Sequence, residues 1–123
     1  MDELSRRVRP EPADPRLLGY GEGLTPWHDD VLAGALVTLG ALGSPGFDRL
    51  GRLVRASAPA RTTFVSAALL HHAARGECIR ALHDVLTAPR DGRAVAPAVD
   101  TLLGVGHSSG QGLAAGVLGV LAS

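Results

Sequence analysis

At 123 residues the chain is long enough for one domain with a core of its own. Hydrophobic residues make up 46% but aromatic ones only 3%, so that core must be Leu, Val and Ala, side chains small enough to let short helices pack closely. Formal net charge is +0, with every basic residue an Arg, which excludes a strong electrostatic pull on nucleic acid or on a membrane surface.

Residues 1–15, MDELSRRVRPEPADP, mix charge with proline and read as a flexible arm; 16–123 read as a single helical domain. The first helix is expected from about Pro26 to Leu42, capped by Thr25, with Val31, Leu32, Ala35, Leu36 and Leu39 on one face. Gly43-Ser44-Pro45-Gly46 ends it. A second helix runs over Phe47 to Ala58, with Phe47, Leu50, Leu53 and Val54 inward, and Pro59 should stop it. A third starts near Thr63, buries Val65, Ala68, Leu69 and Ala73, and closes at Gly76. Further helices are expected over Cys78–Leu86, Ala94–Leu103 and Gln111–Leu121. No run alternates with period two for long enough to be a strand. The fold class is all-α: an irregular or orthogonal bundle of five to six short helices with glycine-rich loops at helix N-termini.

Three loop-to-helix junctions concentrate polar groups. The first is GYGEGLTPWHDD, Gly19 to Asp30. A glycine loop feeding a helix start suits an anion. Asp29 and Asp30, in the first turn, oppose one. They would accept hydrogen bonds from an –NH₂ group, hold Mg²⁺ through water, or simply complement the helix dipole. The second is Arg61-Thr62-Thr63-Phe64-Val65-Ser66, a cation and hydroxyls at a helix start, and equally an ordinary cap. The third is Gly104 to Gly112, where four glycines surround His107, Ser108 and Ser109 with no acid nearby. It is the best suited of the three to grip an oxyanion, with His107 placed for proton transfer. Its alternative is a capped helix start whose glycines allow close packing.

Other features are ordinary. His71, His72 and His83 match no metal-ligand spacing, and no metal ligands are assigned. Cys78, the single cysteine, excludes an internal disulfide, agrees with a cytoplasmic location, and is expected in the core. No segment reads as a membrane span. No cofactor is indicated, with Mg²⁺ the one ion the paired carboxylates would accommodate.

Taken in order, GxGLTPxxDD (Gly21, Gly23, Leu24, Thr25, Pro26, Asp29, Asp30), then Thr62, Thr63, Val65, Ser66, Ala67, Leu69 and Leu70, then Gly106, Ser108, Ser109 and Gly110 resemble the AllH-like family of oxamate carbamoyltransferase subunits. The likeness covers about residues 17–121 and resembles the C-terminal half of a usual member. Glu22 stands where the family usually has Pro, Trp27-His28 where it has Ser-Gly, and Gly112 where it has an acid. The resemblance implies carbamoyl transfer in allantoin and purine breakdown, a small carboxylate or carbamoyl compound as ligand, and other subunits or further copies as partners. On that reading Asp29, Asp30 and His107 are catalytic. Gly23, Thr25, Arg61, Thr62, Thr63, Ser66, Gly106, Ser108, Ser109 and Gly110 bind substrate. The rival reading is a non-catalytic assembly subunit that docks through its C-terminal helix.

Overall fold

The computed structural model describes residues 2–123. Among these residues there are seven α-helices and no strand: α1 (Asp2–Ser5), α2 (Trp27–Ala41), α3 (Gly46–Arg61), α4 (Phe64–Ala73), α5 (Arg80–Thr87), α6 (Val95–Leu103) and α7 (Ser109–Leu121), with a 3₁₀ turn at Pro15–Leu17. The all-helical expectation holds, and six of the seven helices are those read from the sequence.

α2 is the axis of the bundle. Every residue from His28 to Thr38 is buried, so its apolar stripe wraps the whole helix, as it must when neighbours cover every side. Its main partner is α7, which is buried from Gly112 to Leu118. The two backbones touch. A Cβ on Gly34 would lie 2.1 Å from the Leu113 carbonyl oxygen, and one on Gly116 would lie 2.0 Å from that of Val31. The glycines of the last helix are therefore spent on close approach, and that helix is core rather than free surface. Leu36, Val54, Leu70, Leu82, Val99, Leu102 and Val117 fill the centre.

α3 and α4 form one helical hairpin and α5 and α6 another. Pro59 does not stop α3, which continues to Arg61. It sits on the exposed face, so the carbonyl one turn earlier that its missing N–H leaves unpaired is open to water. On α4 the expected face is only partly right. Ala73 is buried as expected, but Val65, Ala68 and Leu69 are exposed, and Ser66 and Leu70 point inward instead. α4 is apolar nearly all round, so periodicity could not orient it; the hydrogen bond made by Ser66 does.

Residues 2–15, where an arm is expected, carry specific contacts. Leu4 is fully buried, Arg7 pairs with Asp100, and the Glu11 N–H donates to the Ala115 carbonyl at 3.1 Å. Gly119 leaves room for that crossing, since a Cβ there would lie 2.1 Å from the Glu11 carbonyl oxygen.

Candidate functional site

The three junctions meet at the start of α2. Thr25 does not cap the helix. Pro26 occupies the N-cap position in extended geometry, and its carbonyl accepts from the Asp29 and Asp30 N–H groups at 2.9 and 3.3 Å. The Thr25 hydroxyl is thereby free to reach another helix, and it bonds Ser109 Oγ at 2.9 Å. That bond joins the first junction to the third. Thr63 caps α4 by accepting from the Ser66 N–H at 3.0 Å, and it donates to the Leu24 carbonyl, joining the first junction to the second.

Asp29 is the knot between them. It is 1% exposed. Its Oδ1 accepts from the Gly19 N–H at 2.7 Å. Its Oδ2 accepts from the Ser66 hydroxyl at 2.5 Å and from the Thr62 hydroxyl. Gly19, at φ 85°, takes a left-handed turn that presents its N–H, and a Cβ there would strike the Arg61 carbonyl. One carboxylate thus ties the glycine loop to the α3–α4 hinge.

Asp30, next in sequence, is 6% exposed, yet its Oδ2 has no hydrogen-bond partner among the described residues. Burial pushes its carboxyl up to about 7; the nearby Ser109 and Thr25 hydroxyls hold it down in part, and the Asp29 charge adds to the rise. It lines a cavity of about 390 Å³ together with Thr25, Ser109 and a mostly apolar wall that includes Val37, Leu69, Ile79 and Leu113. At the mouth stand Cys78 and the pair His72–Glu77, joined at 2.9 Å. The His72 side draws the Glu77 carboxyl below its ordinary value, by hydrogen bond first and then with the charge of Arg75.

Other residues singled out in the sequence lie away from the cavity. Arg61 donates to the Arg16 carbonyl at 2.6 Å and closes the end of the 3₁₀ turn. His107 is exposed on its loop. Ser108 precedes α7 with no side-chain capping bond. Gly23 and Gly106 carry positive φ on exposed loops. Gly110 packs α7 onto α6, with a Cβ position 1.8 Å from the Leu102 carbonyl oxygen.

Three features escaped the sequence reading. Glu11 accepts from Trp27 Nε1 at 3.0 Å and pairs with His28 Nδ1 at 2.7 Å. Because His28 Nε2 accepts from the Asp14 N–H at 2.9 Å, the ring proton lies on Nδ1, toward Glu11. The bulky Trp27-His28 pair therefore anchors residues 11–14. Gly112 belongs with it: a Cβ there would lie 2.7 Å from the Asp30 Cβ and 3.3 Å from the Trp27 carbonyl oxygen. Cys78, expected in the core, is exposed at the cavity mouth, where desolvation still raises its thiol. The wall residues Leu69 and Ile79 look like ordinary core in sequence, and only the rotation of α4 turns Leu69 to the cavity.

Among the described residues no group of three or more His, Cys, Asp and Glu side chains is placed to hold a metal ion. No helix there is long and apolar enough to cross a membrane.

An all-helical bundle with a buried, half-satisfied carboxyl at the convergence of three loops is a different class from the sheet-based phosphate cradles. The family model described as oxamate carbamoyltransferase subunit AllH matches residues 17–121, and the chain belongs to that family. No solved structure matches the chain.

Proposed function

We propose that this chain is a carbamoyl-binding subunit of a carbamoyltransferase assembly, and that Asp30 receives the –NH₂ end of the carbamoyl group. The observation that carries this reading is the free oxygen of Asp30. A buried carboxyl oxygen without a partner is costly, and a cavity beside it gives a ligand the means to remove that cost. A carbamoyl group offers N–H donors on the side a carboxylate accepts, and of the two hydroxyls bonded to each other beside it, Thr25 and Ser109, one keeps a proton to donate to the carbamoyl oxygen.

Asp29 is read as the positioning residue, not as a ligand contact, because both of its oxygens already accept. The same filling argues against Mg²⁺ shared between the two aspartates. Arg61 is committed to backbone carbonyls, so the anion-holding and proton-transferring groups of the full reaction come from other subunits, as membership of a subunit family suggests.

Matched ligand pairs test this by thermal denaturation: oxamate against oxalate, and carbamoyl phosphate against phosphate, each with and without Mg²⁺. A ligand at a hundred times its Kd stabilises the fold by about 2.7 kcal/mol. The carbamoyl member of each pair should shift the melt, its oxygen-only counterpart should not, and Asp30→Leu should abolish the difference. Equal shifts within a pair, or a shift that survives Asp30→Leu, would sink the reading.

A further inference from the structure

α3 and α4 form one hairpin, but they meet the solvent differently. The exposed side of α3 carries Arg49, Arg52 and Arg55, an ordinary solvated face. α4 has no Asp, Glu, Lys or Arg along its length. Phe64, Val65, Ala68 and Leu69 are all exposed, and their spacing puts them on a single side of the helix. Phe64 is 89% exposed. The Thr63 hydroxyl donates to the Leu24 carbonyl, which sets the exposed Leu24 side chain beside the helix start. Ile79, also exposed, stands with Leu69 on the lining of the cavity. Apolar side chains gathered on one surface, rather than scattered, mark a protein contact.

Charge says what covers it. Oxamate and carbamoyl phosphate are anions. With their –NH₂ end at Asp30, the anionic end needs a cation once it leaves water. Among the described residues no arginine lines the cavity, and the chain has no Lys. His72, at the mouth, is bonded to Glu77 at 2.9 Å, and Arg75 is drawn to the same carboxylate at 3.7 Å. Both therefore serve Glu77 rather than a ligand. A second copy of this chain would not repair the deficit. A two-fold contact sets the same patch against itself, and the exposed face of α4 offers no cation beyond its histidines.

We propose that the exposed face of α4, with Leu24 and Ile79 beside it, is the docking surface for a different subunit of the assembly, and that this subunit brings an Arg or Lys into the cavity mouth to pair the ligand's anionic end. The inference rests on the reading of Asp30 as the acceptor of the –NH₂ end, and it adds where the missing charge enters. Apolar contact around an anchoring Arg is a common arrangement of protein interfaces.

The test compares the assembly, recovered through a tag on this chain, with the free chain. In calorimetric titration, oxamate should bind the assembly tighter by about tenfold or more, the effect of one added charge partner out of water. Acetamide, which has the same –NH₂ head and no charge, should bind both alike. Phe64→Asp and Ala68→Asp, at exposed positions, should each release the chain from the assembly while its melt and its free-chain oxamate affinity stay at parental values. Arg52→Asp, on the exposed side of α3, should release nothing. An assembly that survives both α4 substitutions overturns the docking face. An assembly that Phe64→Asp breaks, but that binds oxamate no tighter than the free chain, overturns the lent cation. A chain that recovers no other subunit overturns the proposal, and if it forms a dimer that Phe64→Asp splits, the occupant is a second copy instead. An Asp30→Leu assembly that binds oxamate as the parent does would sink the reading of Asp30, while the docking face would stand or fall on the α4 variants alone.

Discussion

Asp29 and Asp30 are adjacent, identical in chemistry and both buried, yet their surroundings are opposite. Asp29 faces the α3–α4 hinge and receives a backbone N–H and two hydroxyls. Asp30 faces the cavity beside α7 and has an oxygen with no partner. Consecutive helical residues point about a quarter-turn or more apart, so one dipeptide serves two walls of the bundle. The contrast separates holding a fold from holding a ligand more cleanly than either residue alone. A satisfied carboxyl supports its neighbours, whereas an unsatisfied one is a liability that the fold retains.

The largest expected effect breaks the satisfied side. Asp29→Ala leaves the Gly19 N–H and the Thr62 and Ser66 hydroxyls without their acceptor, and should destabilise the protein by about 3–5 kcal/mol in chemical denaturation. Asp29→Asn should recover part of this, since one amide oxygen remains. A loss below about 1 kcal/mol for Asp29→Ala would mean that water replaces the carboxylate and that the hinge does not depend on it.

The same substitution at Asp30 should act in the opposite direction. The folded carboxyl titrates near 7, against 3.8 as the ordinary value. Between those values the folded state holds a proton that the unfolded state has released, so ionisation favours unfolding. The penalty is absent below pH 4, grows as pH rises through 7, and is constant above. Asp30→Asn should therefore be more stable than the parent at pH 8, by about 2–4 kcal/mol. That gap should shrink by about 2 kcal/mol on going to pH 5. A gap that is independent of pH would show that Asp30 does not titrate in this window.

Much of this was legible in the sequence. The helix starts at Pro26 and Thr63 and the gathering of polar residues at three junctions are local chemistry, and local chemistry can be read from spacing. What could not be read was direction. Thr25 satisfies every rule for an N-cap, but its hydroxyl goes to Ser109 on another helix. α4 has apolar residues on nearly every side, so the choice that exposes Leu69 and buries Ser66 is made by Asp29 from outside the helix. Arg61, a natural anion ligand by type, is drawn to the backbone of a turn 45 residues away in sequence. Each of these depends on which helices lie side by side, which no window of the sequence contains.

Glu11 sharpens the comparison from the back of α2. Its carboxylate accepts from both Trp27 and His28, so it resembles Asp29 in being satisfied, but it is supplied by the N-terminal segment. Glu11→Ala should cost about 1–2 kcal/mol, chiefly by leaving the buried His28 Nδ1–H without a partner. It should raise proteolysis within residues 1–15 while leaving ligand binding at Asp30 intact. Unchanged proteolysis would show that α1 and the Arg7–Asp100 pair hold the segment without it.

The smallest effect is expected at His107, and it is informative because residue type alone made it a proton-transfer candidate. It is exposed and lies outside the cavity lining, while Ser109, two residues on, lies inside. A surface substitution of this kind changes stability by no more than about 0.5 kcal/mol. His107→Ala should therefore leave both the melt and oxamate affinity at parental values, in contrast to Ser109→Ala, which should weaken oxamate binding. A tenfold loss of affinity in His107→Ala would mean that the Gly104–Gly106 loop folds over a bound ligand and carries the imidazole to it. The cavity at Asp30 would then have a movable wall, and the third junction would belong with the ligand-holding side of the molecule.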